Sequence, residues 1–294
     1  MRKPFALTFV ALLFLLVSTS QAVGQQQPCQ TSVAYGQNAG AGRSAKVNGI
    51  SMYYEIYGSG SPLLLIHGNG GSIASMRCQI EYFSRSHRVI AADSRSHGKT
   101  QDETARLTYE LMADDLAALL DELKIEKADI IGQSDGGILA LLIAIRHPSL
   151  VKALVASGPN LRPDAVVPWA IPLNRNDLNE AKTMLARGDR SKDWARVKLH
   201  NELMMTEPHI PVSQLQRIKA PTLILGGDDD VIKLEHLIEI YRNIPQAQLG
   251  IFPGATHFIA QAEHELYNSM AERFLTRPFT RPTSKQALEE LLKQ

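Results

Sequence analysis

Cysteine is nearly absent from this chain. Cys29 and Cys78 are the only two in 294 residues, and neither has a histidine or second cysteine nearby at metal-binding spacing, so no metal site is expected. A bridge between them would be optional in a domain of this size, even in an oxidising compartment. An excess of one charge is missing too. The 31 basic and 30 acidic side chains leave a net charge of +1, which gives no electrostatic reason to expect nucleic acid or an anionic membrane as partner. No internal repeat is visible. With 44% apolar and 21% charged residues, the chain has the composition of a globular protein with a sizeable core.

The first apolar run, Phe5 to Val17, follows Arg2 and Lys3 and precedes the small-x-small triplet Ser20-Gln21-Ala22. It is shorter than the roughly 20 residues of a membrane-spanning helix, and its layout is that of a secretory signal. Residues 1–22 are therefore expected to be a signal peptide cleaved near Ala22. The mature protein would be exported, periplasmic or secreted, without stable membrane insertion. Residues 23–44 are rich in Gln, Gly, Ala, Asn and Ser and are expected to form a flexible leader.

From residue 45 the chain alternates apolar strands with helical patterns, which predicts an α/β fold with a mostly parallel sheet. Val47-Asn48-Gly49-Ile50 signals a two-residue hairpin. Continuous apolar strands follow at Pro62–Ile66, Arg88–Asp93, Ala128–Ile131, Val151–Ser157, Pro221–Gly227 and Gln248–Phe252, of the kind covered on both faces. Helices are predicted at Ile73–Ser84, Thr108–Leu123, Leu234–Arg242 and Glu263–Leu275. The rhythm breaks between about residues 159 and 218. This stretch has prolines and two helical patterns, near Asp177–Arg187 and Lys192–Met205, and reads as a helical insertion over the strand ends. The domain is expected to span 45–278, with 279–294 as a peripheral tail.

The turns after the strands carry the chemistry. Gly132-Gln133-Ser134-Asp135-Gly136-Gly137 lies between a buried strand and an apolar helix, the setting of a nucleophile elbow. His67-Gly68-Asn69-Gly70-Gly71 follows another strand, and no Lys-Ser/Thr or Gly-x-Gly-x-x-Gly spacing makes it a phosphate loop. Asp228-Asp229-Asp230 and His257 follow two later strands. A serine needs an adjacent base to act as nucleophile, and the base needs an orienting carboxylate.

From about Val47 to Leu275 the chain resembles the α/β-hydrolase superfamily, in the branch with a helical cap between the sixth and seventh main strands. The motifs are Leu65-Ile66-His67-Gly68-Asn69-Gly70-Gly71, Asp93-Ser94-Arg95-Ser96-His97-Gly98, the Ser134 elbow, Leu225-Gly226-Gly227-Asp228-Asp229-Asp230-Val231-Ile232 and Gly254-Ala255-Thr256-His257-Phe258. Ser96 departs from the glycine often found there. The resemblance implies Ser134 as nucleophile, His257 as base and backbone N–H groups of Asn69 and Asp135 as oxyanion donors. The family spacing Gly-x-x-Asp-x-aliphatic-aliphatic, counted from Gly226, selects Asp229 as the acid, ahead of Asp228 and Asp230. Gly70, Trp169 and Met204 are expected at the substrate. The elbow is similar to that of valacyclovir-hydrolase-like enzymes, whose acidic residue beside the nucleophile faces a substrate amino group. The implied function is hydrolysis of a small or medium carboxylic ester without metal or organic cofactor. Cleavage of a C–C bond (as in meta-cleavage-product hydrolases) or of an amide by the same triad is the alternative. A non-catalytic ligand-binding protein on this fold is the reading from another class.

Overall fold

The structure, a computed structural model, describes residues 29–293 apart from 103 and 282. The expected signal peptide lies outside the described residues. Eight strands form one sheet: β1 (Gly42–Val47), β2 (Ile50–Tyr57), β3 (Ser61–Ile66), β4 (His87–Ala92), β5 (Ala128–Gln133), β6 (Val151–Ser157), β7 (Thr222–Asp229) and β8 (Ala247–Thr256). Their order is β1-β2-β4-β3-β5-β6-β7-β8. The β1–β2 and β2–β4 pairs are antiparallel, and all pairs from β4 to β8 are parallel. The hairpin turn is at Asn48-Gly49, both at positive φ (43° and 83°), which matches the twist of the flanking strands.

The continuous apolar strands have the double cover that parallel sheets require. Successive side chains alternate faces: Leu64, Ile66 and Ile130 pack into one core, and Leu63, Leu65 and Ile131 into the other. The second core is closed by α1 (Arg77–Phe83) and α8 (His264–Thr276). The first is closed by α2 (Tyr109–Glu122), α3 (Asp135–Arg146) and α6 (Leu234–Asn243). A short helix, α7 (Ile259–Ala262), precedes α8, and α9 (Ser284–Leu291) buries none of its residues. Among the described residues no helix is long and apolar enough to cross a membrane.

The insertion between β6 and β7 holds α4 (Ile171–Ala186) and α5 (Trp194–Thr206). Helix α4 begins six residues before the predicted Asp177, because Pro172 occupies its first turn rather than breaking it. A proline there lacks only an N–H that has no helical partner.

The expected leader also needs correction. Within its described part, Tyr35 is buried and donates to Glu81 Oε2 at 2.6 Å, the amides of Gly36 and Asn38 donate to the Glu55 carboxylate, and β1 begins at Gly42. Low apolar content hid this, because the segment is held by hydrogen bonds to two glutamates and one buried ring.

Candidate active site

Ser134 sits between β5 and α3 with φ 56° and ψ −121°, a conformation L residues seldom adopt and that surrounding structure must hold. Its amide donates to Ser157 O at 2.7 Å, and its carbonyl accepts from Gly137 and Ile138. A Cβ at Gly132 would collide with the Gly136 carbonyl, and one at Gly136 with the Ile66 carbonyl. The elbow therefore closes only with glycine at both places.

His257, in the turn after β8, bridges to Ser134. Its Nε2 is 2.9 Å from Ser134 Oγ, and its Nδ1 is 2.6 Å from Asp230 Oδ1. With Nδ1–H donating to the carboxylate, Nε2 is left to accept the serine proton. Gly158, at φ 59°, gives this ring room: a Cβ there would lie 2.7 Å from His257 Cε1.

The carboxylate that meets His257 is thus Asp230, not the expected Asp229. The β7–β8 register shifts between Gly227 and Asp229, and such a bulge re-aims the side chains beyond it. Asp229 is still in the strand, paired with Thr256 and exposed. Asp228 accepts from the amides of Gly254 and Ala255, pinning the β8 turn. Asp230 is buried and also accepts from Ile232 N at 2.9 Å and Gly227 N at 3.4 Å. Counted from Gly227, the Gly-x-x-Asp spacing gives Asp230.

Among the described residues the backbone amides of Asn69 and Asp135 have no acceptor, and both residues line the cavity beside Ser134. The side chain of Asp135 lines it too. Its carboxyl is pushed up to about 6, first by burial, against the hydrogen bonds from Asn69 and Tyr109 and the influence of His257. Asn69 Nδ2 donates to Asp135 Oδ2 at 2.8 Å and reaches His200 O at 3.5 Å.

The cavity measures about 510 Å³. Trp169 and Met204 line it, whereas Gly70 does not: it is exposed at the corner of its turn, and Gly68 and Gly71 face the space instead. Trp194 and Leu203 are buried packing residues. Tyr109 and Glu207 also line the cavity and were not legible in the sequence, since each lies in an otherwise ordinary helix or loop.

Behind the Asn69 turn, three buried histidines join loop, strand end and cap. The rings of His97 and His200 stack at 3.9 Å, and His67 lies 5.1 Å from His97. His67 donates from Nδ1 to Gly68 O and accepts from Ser94 N–H, which fixes it neutral. Burial lowers all three, His200 to about 4.

The family model described as the alpha/beta hydrolase fold matches residues 61–204. A 2-hydroxy-6-oxo-2,4-heptadienoate hydrolase of Pseudomonas putida is 28% identical over 81% of this chain and 97% of its own length. A meta-cleavage product hydrolase from Pseudomonas fluorescens superposes with TM-score 0.65 and 25% identity, over 81% of this chain and 98% of its own. A thermophilic esterase from Thermogutta terrifontis does so with TM-score 0.67 and 25% identity, over 81% and 100%.

Proposed function

We propose that this chain, which belongs to the α/β-hydrolase superfamily, hydrolyses a small or medium carboxylic ester through an acyl-serine intermediate. The observation that carries this reading is the unbroken line Ser134–His257–Asp230 beside an apolar cavity. Ser134 Oγ attacks the ester carbonyl as its proton passes to His257 Nε2. Asp230 holds the ring by Nδ1–H and stabilises the imidazolium. The oxyanion takes the N–H groups of Asn69 and Asp135, and loss of one such donor raises the barrier by about 3–4 kcal/mol. The imidazolium then protonates the departing alcohol, and a water that gives its proton to His257 releases the acid.

The cavity's charge favours an ester over the substrate class of the meta-cleavage relatives. The substrate in the Pseudomonas putida enzyme's name is a dienoate, which carries a carboxylate. Among the described residues no lysine or arginine lines this cavity, while Asp135 does, as does Glu207 with its carboxylate paired to Arg106 at 3.2 Å. A second carboxylate beside buried Asp135, away from water, is unfavourable.

Turnover of p-nitrophenyl acetate, butyrate and octanoate beside a 2-hydroxy-6-oxodienoate tests the reading. Ester turnover without dienoate cleavage is expected. Dienoate cleavage without ester turnover would replace the reading with C–C hydrolysis. Export is part of the same proposal, tested by sequencing the mature N-terminus, which should lie near Ala22.

A further inference from the structure

Three soft ligands from distant parts of the chain meet in a second cleft. Cys29 comes from the segment before β1, Cys78 from the first turn of α1, and His264 from the first residue of α8. Their Sγ and ring nitrogen atoms all lie within 4.8 Å of one another. The cleft, which Glu81 and Glu265 also line, shares no lining residue with the Ser134 cavity.

We propose that Cys29, Cys78 and His264 bind a thiophilic ion of zinc's class, with the fourth position left to water or a cleft carboxylate. Zinc–sulfur distances of about 2.3 Å and zinc–nitrogen distances of about 2.0–2.1 Å set tetrahedral ligand atoms roughly 3.4–3.8 Å apart. From within 4.8 Å of one another, the trio closes on an ion by drawing in about 1.4 Å or less. Two thiolates and an imidazole form a donor set that selects such ions over magnesium or calcium.

The backbone around the ligands is already held. Arg77 Nε donates to Cys29 O at 3.5 Å, and Asn268 Nδ2 to Cys78 O at 3.3 Å. Thiolate ligands must shed their protons to bind, so binding releases protons and tightens as pH rises. Bound, the ion staples the segment carrying Cys29 to α1 and α8.

The test is a cobalt titration of the whole purified chain, reduced and stripped with a chelator, reading the thiolate charge-transfer and tetrahedral d–d bands. One equivalent should bind and be displaced by zinc, and zinc should raise the Tm. Cys29→Ser should lose much of the thiolate band. His264→Gln should bind at least about tenfold more weakly and lose the zinc-dependent rise in Tm, while keeping its ester turnover as evidence of an intact fold. A reduced, folded protein without the thiolate band would overturn the proposal. So would unchanged affinity in His264→Gln, or full occupancy of both sulfurs by a Cys29–Cys78 disulfide in protein isolated without reductant.

Discussion

The sheet and the cap hold their shares of the cavity in opposite ways. Ser134, Asp230 and His257 hang from the carboxyl ends of β5, β7 and β8, and Asp230 and His257 are 8% and 9% exposed. Each is held by hydrogen bonds to neighbouring backbone or to the others. The cap offers Trp169 and Leu173 to the same cavity at 61% and 55% exposure, from a region whose helix α4 buries only Leu178 and Ala181. The reacting atoms are thus fixed by a packed scaffold, whereas Trp169 and Leu173 at the cavity's edge are fixed by little. Such a division lets selectivity change while the reaction stays the same.

The sharpest break in that comparison comes at the strand ends. Ser134→Ala should lower kcat by about 10⁴–10⁶ with little change in Tm, since removing the nucleophile leaves only binding and oxyanion stabilisation. Asp230→Asn should lower kcat by about 10⁴, because the amide favours the wrong imidazole tautomer. Asp229→Asn should stay within about twofold of the parent, as an exposed change away from the reacting atoms. Steady-state kinetics on one ester decides it, and the reverse order would return the acid to Asp229.

The cap's attachment should respond to acid. His200, on α5, has a folded-state value of about 4, below its ordinary 6.5, with burial the first cause and Arg196 and His67 adding to it. The unfolded state then binds more protons, so this contribution is complete above pH 6.5 and is lost as pH falls towards 4. It amounts to about 3 kcal/mol at most, and chemical denaturation at pH 7 and pH 4.5 should show a smaller difference in His200→Gln than in the parent.

The smallest effect belongs to the mouth. Trp169→Ala should raise KM for the best ester about tenfold, with kcat little changed and stability within about 0.5 kcal/mol. A large loss of Tm there would mean that the cap is built as rigidly as the sheet.

What the sequence disclosed follows the same division. Buried parallel strands read as continuous apolar runs, so Leu63–Ile66, Ile130–Ile131 and the turns after them were legible, and the elbow glycines marked Ser134. The bulge in β7 leaves no mark on composition, which is why spacing alone chose Asp229 over Asp230. Pro172 gave no sign that α4 starts there, because proline has the same identity in a first turn as in a loop. Tyr109, Glu207 and the trio of Cys29, Cys78 and His264 are assembled by tertiary contact between residues far apart in the chain, which no local pattern encodes.

The most direct test of the central claim is to label the purified protein with a fluorophosphonate and map the adduct by mass spectrometry, beside Asp229→Asn and Asp230→Asn. One adduct on Ser134, formed at the parent rate in Asp229→Asn and far more slowly in Asp230→Asn, is the expected result. Well-folded parent protein that takes no label, or takes it at another residue, would contradict the assignment of Ser134, His257 and Asp230 as one catalytic unit.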